Sequence, residues 1–149
     1  FSVDGQVRRL NEALTYKGLM FSDVPNLSYS FGYTNASWTL KADLTAGFVC
    51  RLLKHMRVTG ARKCVPVIAD PAMPLAPWAG LSSGYFERAY AHLPKQGTTR
   101  PWKLNSSYLA DLMKLNQNYA LDMAALKLGK LDDGVMQFKA RARSAGGRA

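Results

Sequence analysis

The sequence predicts an α/β fold of one ordinary-sized domain, on three observations. Residues 1–34 read as short alternating stretches broken by turn formers, the pattern of brief strands. A long segment over 36–57 then keeps a helical period without interruption. Beyond a proline-rich stretch, the second half returns to helical patterning and closes on a hairpin signal. The chain has 149 residues, 48% of them hydrophobic and 11% aromatic. That is enough to build a real core, and it is unlike the composition of a disordered chain.

The elements follow in order. Ser2-Val3-Asp4-Gly5-Gln6-Val7 reads as a strand already under way that turns at Asp4-Gly5, so the chain is expected to begin inside a fold. Asp23-Val24-Pro25-Asn26 is a turn, and Leu27-Ser28-Tyr29-Ser30-Phe31 alternates as a half-buried strand should, with Gly32 ending it. In the helix over 36–57, Leu40, Leu44, Phe48, Leu52 and Met56 recur every four residues, and Val49 and Leu53 widen the stripe. Lys41, Arg51 and Lys54 are read as falling away from it. Thr34 or Asn35 is the expected N-cap, whose side-chain oxygen would accept from an open amide of the first turn. Roughly 20 residues would give a rod of about 30 Å.

Residues 64–80 hold Pro66, Pro71, Pro74 and Pro77, four of the chain's seven prolines. Such a stretch suits neither a helix interior nor a central strand, and reads as a surface excursion joining two parts. A short helix is expected over 85–93, with Tyr85, Phe86, Ala89, Tyr90 and Leu93 inward, stopped by Pro94-Lys95-Gln96-Gly97. Another should start near Asn105 or Ser106. Leu104-Asn105-Ser106-Ser107-Tyr108-Leu109-Ala110-Asp111 is echoed by Leu115-Asn116-Gln117-Asn118-Tyr119-Ala120-Leu121-Asp122. The offset is close to three helical turns, so both copies present one face, but two copies do not make a solenoid. A final hairpin would join Leu126-Lys127-Leu128 to Val135-Met136-Gln137-Phe138 through Asp132-Asp133-Gly134.

Twenty basic residues against ten acidic ones leave a net charge of +10. Its distribution argues against nucleic-acid binding. Lys139, Arg141, Arg143 and Arg148 sit in a terminal stretch of Ala, Gly and Ser that reads as a disordered tail. Arg51, Lys54, Arg57, Arg62 and Lys63 follow a helix end, where cations suit the dipole. No recognised nucleic-acid motif accompanies either group. No stretch approaches the roughly 18 apolar residues of a membrane span. Cys50 and Cys64 are too few for a disulfide scaffold and read as free thiols of a reducing cytosol, a single disulfide being the alternative.

Local catalytic motifs fail on context. Gly80-Leu81-Ser82-Ser83-Gly84 matches a serine-hydrolase elbow, but Pro74 to Ala79 deliver it from a loop rather than a strand. His55 and His92 stand alone without carboxylate or thiolate at ligand spacing, so no metal site is expected. Asp132-Asp133 is ordinary turn chemistry. Neither a G-x-G-x-x-G nor a phosphate-binding G-x-x-x-x-G-K-[ST] occurs, and no residue is assigned a catalytic role. What remains is Phe31-Gly32-Tyr33-Thr34-Asn35-Ala36-Ser37-Trp38 leading into the long helix. A strand, a tight polar turn and the free amides of a helix N-terminus suit an anion or an electron-rich carbonyl. Tyr33 and Trp38 could wall a flat ligand, or simply pack.

Ala13-Leu14-Thr15-Tyr16-Lys17-Gly18-Leu19-Met20-Phe21-Ser22-Asp23-Val24-Pro25-Asn26, followed by 31–40, resembles the C-terminal part of class B flavoprotein monooxygenases. The likeness is to the Baeyer–Villiger type related to the mycobacterial ethionamide-activating enzyme. Leu93-Pro94-Lys95-Gln96-Gly97, Arg100-Pro101-Trp102-Lys103-Leu104, Gln117-Asn118-Tyr119 and Gly129-Lys130-Leu131-Asp132-Asp133 extend it in the same order, over roughly 10–138. The resemblance implies FAD and NADPH as cofactors, bound in dinucleotide-type domains. It implies insertion of one oxygen atom from O2 into a ketone, or oxidation of a sulfur or nitrogen centre, through a flavin peroxide. The substrate would be a small molecule such as a ketone, sulfide or thioamide, and the protein cytoplasmic.

Residues 1–60 would then be the closing strands and last helix of the FAD domain, 61–80 a linker, 81–138 a C-terminal extension and 139–149 the basic tail. Gly32, Tyr33, Thr34, Asn35 and Trp38 would border the flavin, and Tyr33, Ser37 and Trp38 the substrate pocket. The glycine-rich fingerprints, the family's histidine-containing signature and its catalytic arginine are absent from this sequence, so the chain alone is expected to be inactive. The alternative is a non-enzymatic basic α/β module that binds an anionic partner or nucleic acid.

Overall fold

The computed structural model describes residues 2–3, 5–33, 36–77, 88–89, 91–105, 107–117 and 125–130. Within them the fold is α/β, built from short antiparallel strand pairs around one long helix. β1 (Ser2–Val3) and β2 (Gln6–Val7) pair across the expected turn, where Gly5 takes φ 77°. A 3-10 turn (Leu10–Glu12) leads to β3 (Thr15–Tyr16) and β4 (Met20–Phe21), paired Thr15 to Phe21 and Tyr16 to Met20. The turn at 23–26 is present, with Asp23 and Asn26 both at positive φ, a conformation that short polar side chains tolerate. The strand expected over 27–31 is reduced to one bridge, Ser28 to Met20. Leu27 is exposed, and alternation without a continuous neighbour does not make a strand.

α1 (Trp38–Thr59) is the long helix. Leu44, Phe48, Leu52 and Met56 are buried as the period predicts. Leu53 is not: it lies exposed, and Lys41 and Thr45 take the place beside the stripe. The helix ends where Gly60 adopts the left-handed conformation (φ 71°), its N–H reaching the Arg57 and Met56 carbonyls. Glycine takes that conformation without the Cβ clash other residues suffer.

The proline-rich stretch opens not on the surface but as β5 (Lys63–Pro66), in which Cys64, Val65 and Pro66 are buried. β5 pairs with β8 (Leu126–Gly129), Lys63 opposite Gly129 and Pro66 opposite Leu126. Pro66 stands at the end of the ladder, where its missing N–H matters least. β6 (Leu75–Pro77) pairs with β7 (Lys95–Gly97), so 95–97 is a strand and more than a helix stop. The last described helix, α2 (Tyr108–Gln117), packs on α1.

One core gathers these pieces. Tyr16, Phe48, Leu14, Leu19 and Met20 are fully buried, and Tyr16 meets Phe48 and Trp102 edge-on at 6.5 and 5.6 Å between ring centres. Edge-to-face geometry places positive ring edges on negative ring faces. Cys50 is exposed and Cys64 buried, and both are free thiols. Burial pushes the Cys64 thiol up to about 11, because an anion there would lose its hydration. Several expectations lie outside the described residues: the elbow motif at 80–84, residues 85–87 and 90 of the helix over 85–93, the second echo copy from 118, the hairpin's far arm at 135–138 and the basic tail; of that short helix, 88–89 are helical and 91–92 already form a turn. Among the described residues no helix is long and apolar enough to cross a membrane.

Candidate functional site: the head of the long helix

The chain enters α1 through Phe31, Gly32 and Tyr33. Trp38, the first helical residue, lays its indole on Gly32, where a Cβ would overlap the ring, and its centroid lies 4.7 Å from that of Phe31. Position 32 therefore admits only glycine without displacing Trp38. Trp38 is nonetheless 58% exposed.

The helix starts at Trp38, with Ser37 in the N-cap position rather than Thr34 or Asn35. Ser37 makes no side-chain bond to the first-turn amides; its hydroxyl pairs with that of Thr39 at 2.7 Å. No acid sits in that first turn, so nothing described there offsets the positive end of the helix dipole. Thr34 and Asn35 lie outside the described residues.

Tyr33 is buried and faces away from the indole. Its hydroxyl donates to Asp111 Oδ2 at 2.7 Å, and its ring meets Tyr108 edge-on at 6.3 Å. Lys41 Nζ lies 2.6 Å from the same carboxylate oxygen and 5.6 Å from the centre of the Tyr33 ring. Asn105 donates to Asp111 Oδ1 at 2.8 Å, and Lys41 also reaches the Lys17 carbonyl at 3.4 Å. The Lys41 and Asp111 side chains are only 6% and 5% exposed. Burial, and then the bond to Asp111 and its negative charge, push the Tyr33 hydroxyl well above the usual phenol range.

The structure thus places Gly32, Ser37 and Trp38 together at the helix head, while Tyr33 turns into a buried polar cluster the sequence did not announce. Lys41, Asp111 and Asn105 were not foreseen. A signal existed: Lys41, Thr45, Phe48 and Leu52 follow the 4-3-4 spacing of one helix face, so Lys41 lies on the buried face and does not fall away from it. Asp111 likewise lies on the face that carries Tyr108 and Leu115. Among the described residues no cluster of three His, Cys, Asp or Glu could hold a metal ion.

Comparison with known proteins gives one consistent answer. The chain is 42% identical over 135 residues to the FAD-containing monooxygenase EthA of Mycolicibacterium smegmatis, covering 91% of this chain and 25% of the relative. It is 40% identical over 140 residues to EthA of Mycobacterium tuberculosis, covering 94% and 26%. It is 39% identical over 143 residues to the "Probable FAD-binding monooxygenase AlmA" of Acinetobacter baylyi, covering 92% and 26%. The chain spans about a quarter of the length of these relatives. No family profile and no solved structure matches it.

Proposed function

From the chain's homology to part of the FAD-containing monooxygenases, we propose that it is the C-terminal portion of a flavin-dependent monooxygenase of the Baeyer–Villiger type, and that the head of α1 borders the flavin and substrate pocket. The sustained identity of about 40% along nearly the whole chain supports the flavin-monooxygenase part of this reading. In it, NADPH is the reductant, O2 the oxidant, and a ketone, sulfide or thioamide the substrate. Residues 1–60 close the FAD domain, 81–138 form an extension and 139–149 a basic tail; 61–80 join the first two, with β5 built into their shared core. Without the glycine-rich fingerprints this portion does not turn over by itself.

The residues present suit a flavin. Its pyrimidine ring offers electron-rich carbonyls, and the helix head offers backbone amides, no acid in the first turn and no cap from Ser37. When bound, the flavin supplies the redox chemistry. This chain would supply the positive end of a helix dipole, which stabilises negative charge on the reduced ring. Backbone amides from Gly32 through Trp38, including those of Tyr33, Thr34 and Asn35, would do so more than their side chains. The exposed Trp38, with Ser37 beside it, would border the substrate and help exclude water, and Tyr33 would hold the turn from its buried side.

The test is FAD titration of the complete protein with Gly32→Trp, which must displace the Trp38 indole, and Asn35→Pro, which removes one amide. Both should weaken FAD binding by at least tenfold. Unchanged affinity in both would place the flavin elsewhere.

A further inference from the structure

Three separate segments converge on the Asp111 carboxylate. Tyr33 comes from the approach to α1, Lys41 from its first turns and Asn105 from the loop before α2; through Lys41 the cluster also touches the β3–β4 turn at Lys17. Nothing in the proposed oxygenation consumes this ion pair.

Its energetics argue against stability as the reason for its presence. Two charges taken out of water regain little over an apolar pair of the same volume. One turn further along the same face, the Thr45 hydroxyl is buried with no partner among the described residues, a further cost that an apolar residue would avoid. What the cluster does provide is direction. Hydrogen bonds to a carboxylate are short and oriented, and every bond here fixes one segment against another.

We infer that Asp111 and Lys41 are positioning residues: they hold Tyr33, and through it the adjacent Gly32 and the Trp38 indole packed on Gly32, in one placement relative to α2. Its consequence for cofactor binding rests on the pocket reading above. Through Asp111, the extension over 81–138 thereby helps to set the wall of that pocket.

The experiment labels the complete protein with 5-fluorotryptophan and follows Trp38 by fluorine NMR, assigned with Trp38→Phe, alongside FAD titration. Tyr33→Phe removes one hydroxyl and leaves the ion pair intact. The double variant Lys41→Met with Asp111→Leu removes the pair without stranding a charge, so it keeps the test open if a single charge deletion unfolds the protein. Both variants should shift the Trp38 resonance, leave that of the core residue Trp102 in place, and raise the FAD dissociation constant by about tenfold, the scale of one lost charge-assisted bond. A Trp38 resonance unmoved in both variants overturns the inference, as does one that moves only together with Trp102. If Trp38 shifts while FAD affinity stays unchanged, the positioning stands and the placement of the turn against the flavin falls.

Discussion

The two ends of α1 bury the same helix face by opposite means. Toward the C-terminus, Phe48, Leu52 and Met56 meet Tyr16, Leu14 and their neighbours in an apolar core. Toward the N-terminus the same face carries Lys41 and Thr45, and Lys41 is matched by a carboxylate 70 residues away in sequence. Dispersion and water exclusion hold the first end and tolerate small shifts of position. Directional bonds hold the second, where a displaced atom loses its partner and strands a buried charge. The end with the stricter geometry is the one that enters the proposed pocket.

That contrast can be broken by substitution. The largest effect should come from Phe48→Ala, which removes a fully buried ring and costs about 3–5 kcal/mol in urea unfolding; a loss below about 1 kcal/mol would mean that the apolar end is not the stabilising one. Asp111→Leu alone should cost nearly as much, about 3 kcal/mol, because Lys41 remains buried and unpaired. Adding Lys41→Met should recover most of it. If the two losses simply added, the polar end would be a source of stability like the core, and the contrast would fail.

The sequence made the apolar end legible because a four-residue period of large side chains has one physical reading. It left the polar end hidden for two reasons. Lys41 sits in the middle of the same face, but a lysine is read outward unless its counter-ion is known. That counter-ion, with Asn105, lies far along the chain, where no local pattern connects it to Tyr33. Distance also hid the pairing of β5 with β8, whose proline-bearing strand looked like surface. At the site, Gly32 and Trp38 were legible as a turn into a helix; that the indole rests on the glycine was not.

Smaller effects sharpen the picture at the margins. Gly60→Ala should cost about 1 kcal/mol by placing a Cβ at positive φ, with the urea midpoint as the readout. Raising the pH should reveal Cys64. Its thiol, held near 11 when folded against 9.0 ordinarily, keeps its proton after the unfolded chain has lost its own. The stability it contributes is therefore complete below pH 9 and lost as pH rises toward 11. Cys64→Ala should flatten that alkaline slope, and an unchanged slope would assign it to other groups such as Tyr33. At neutral pH, iodoacetamide should label exposed Cys50 and spare Cys64, read by peptide mapping.

The most direct measurement is hydrogen–deuterium exchange on the complete protein with and without FAD, resolved along α1. Amides from Gly32 to Lys41 should gain protection when FAD binds, while those from Phe48 to Met56, already sealed in the core, should not change. FAD-dependent protection confined to the C-terminal half, or absent from the whole helix, would contradict the assignment of the helix head to the flavin pocket.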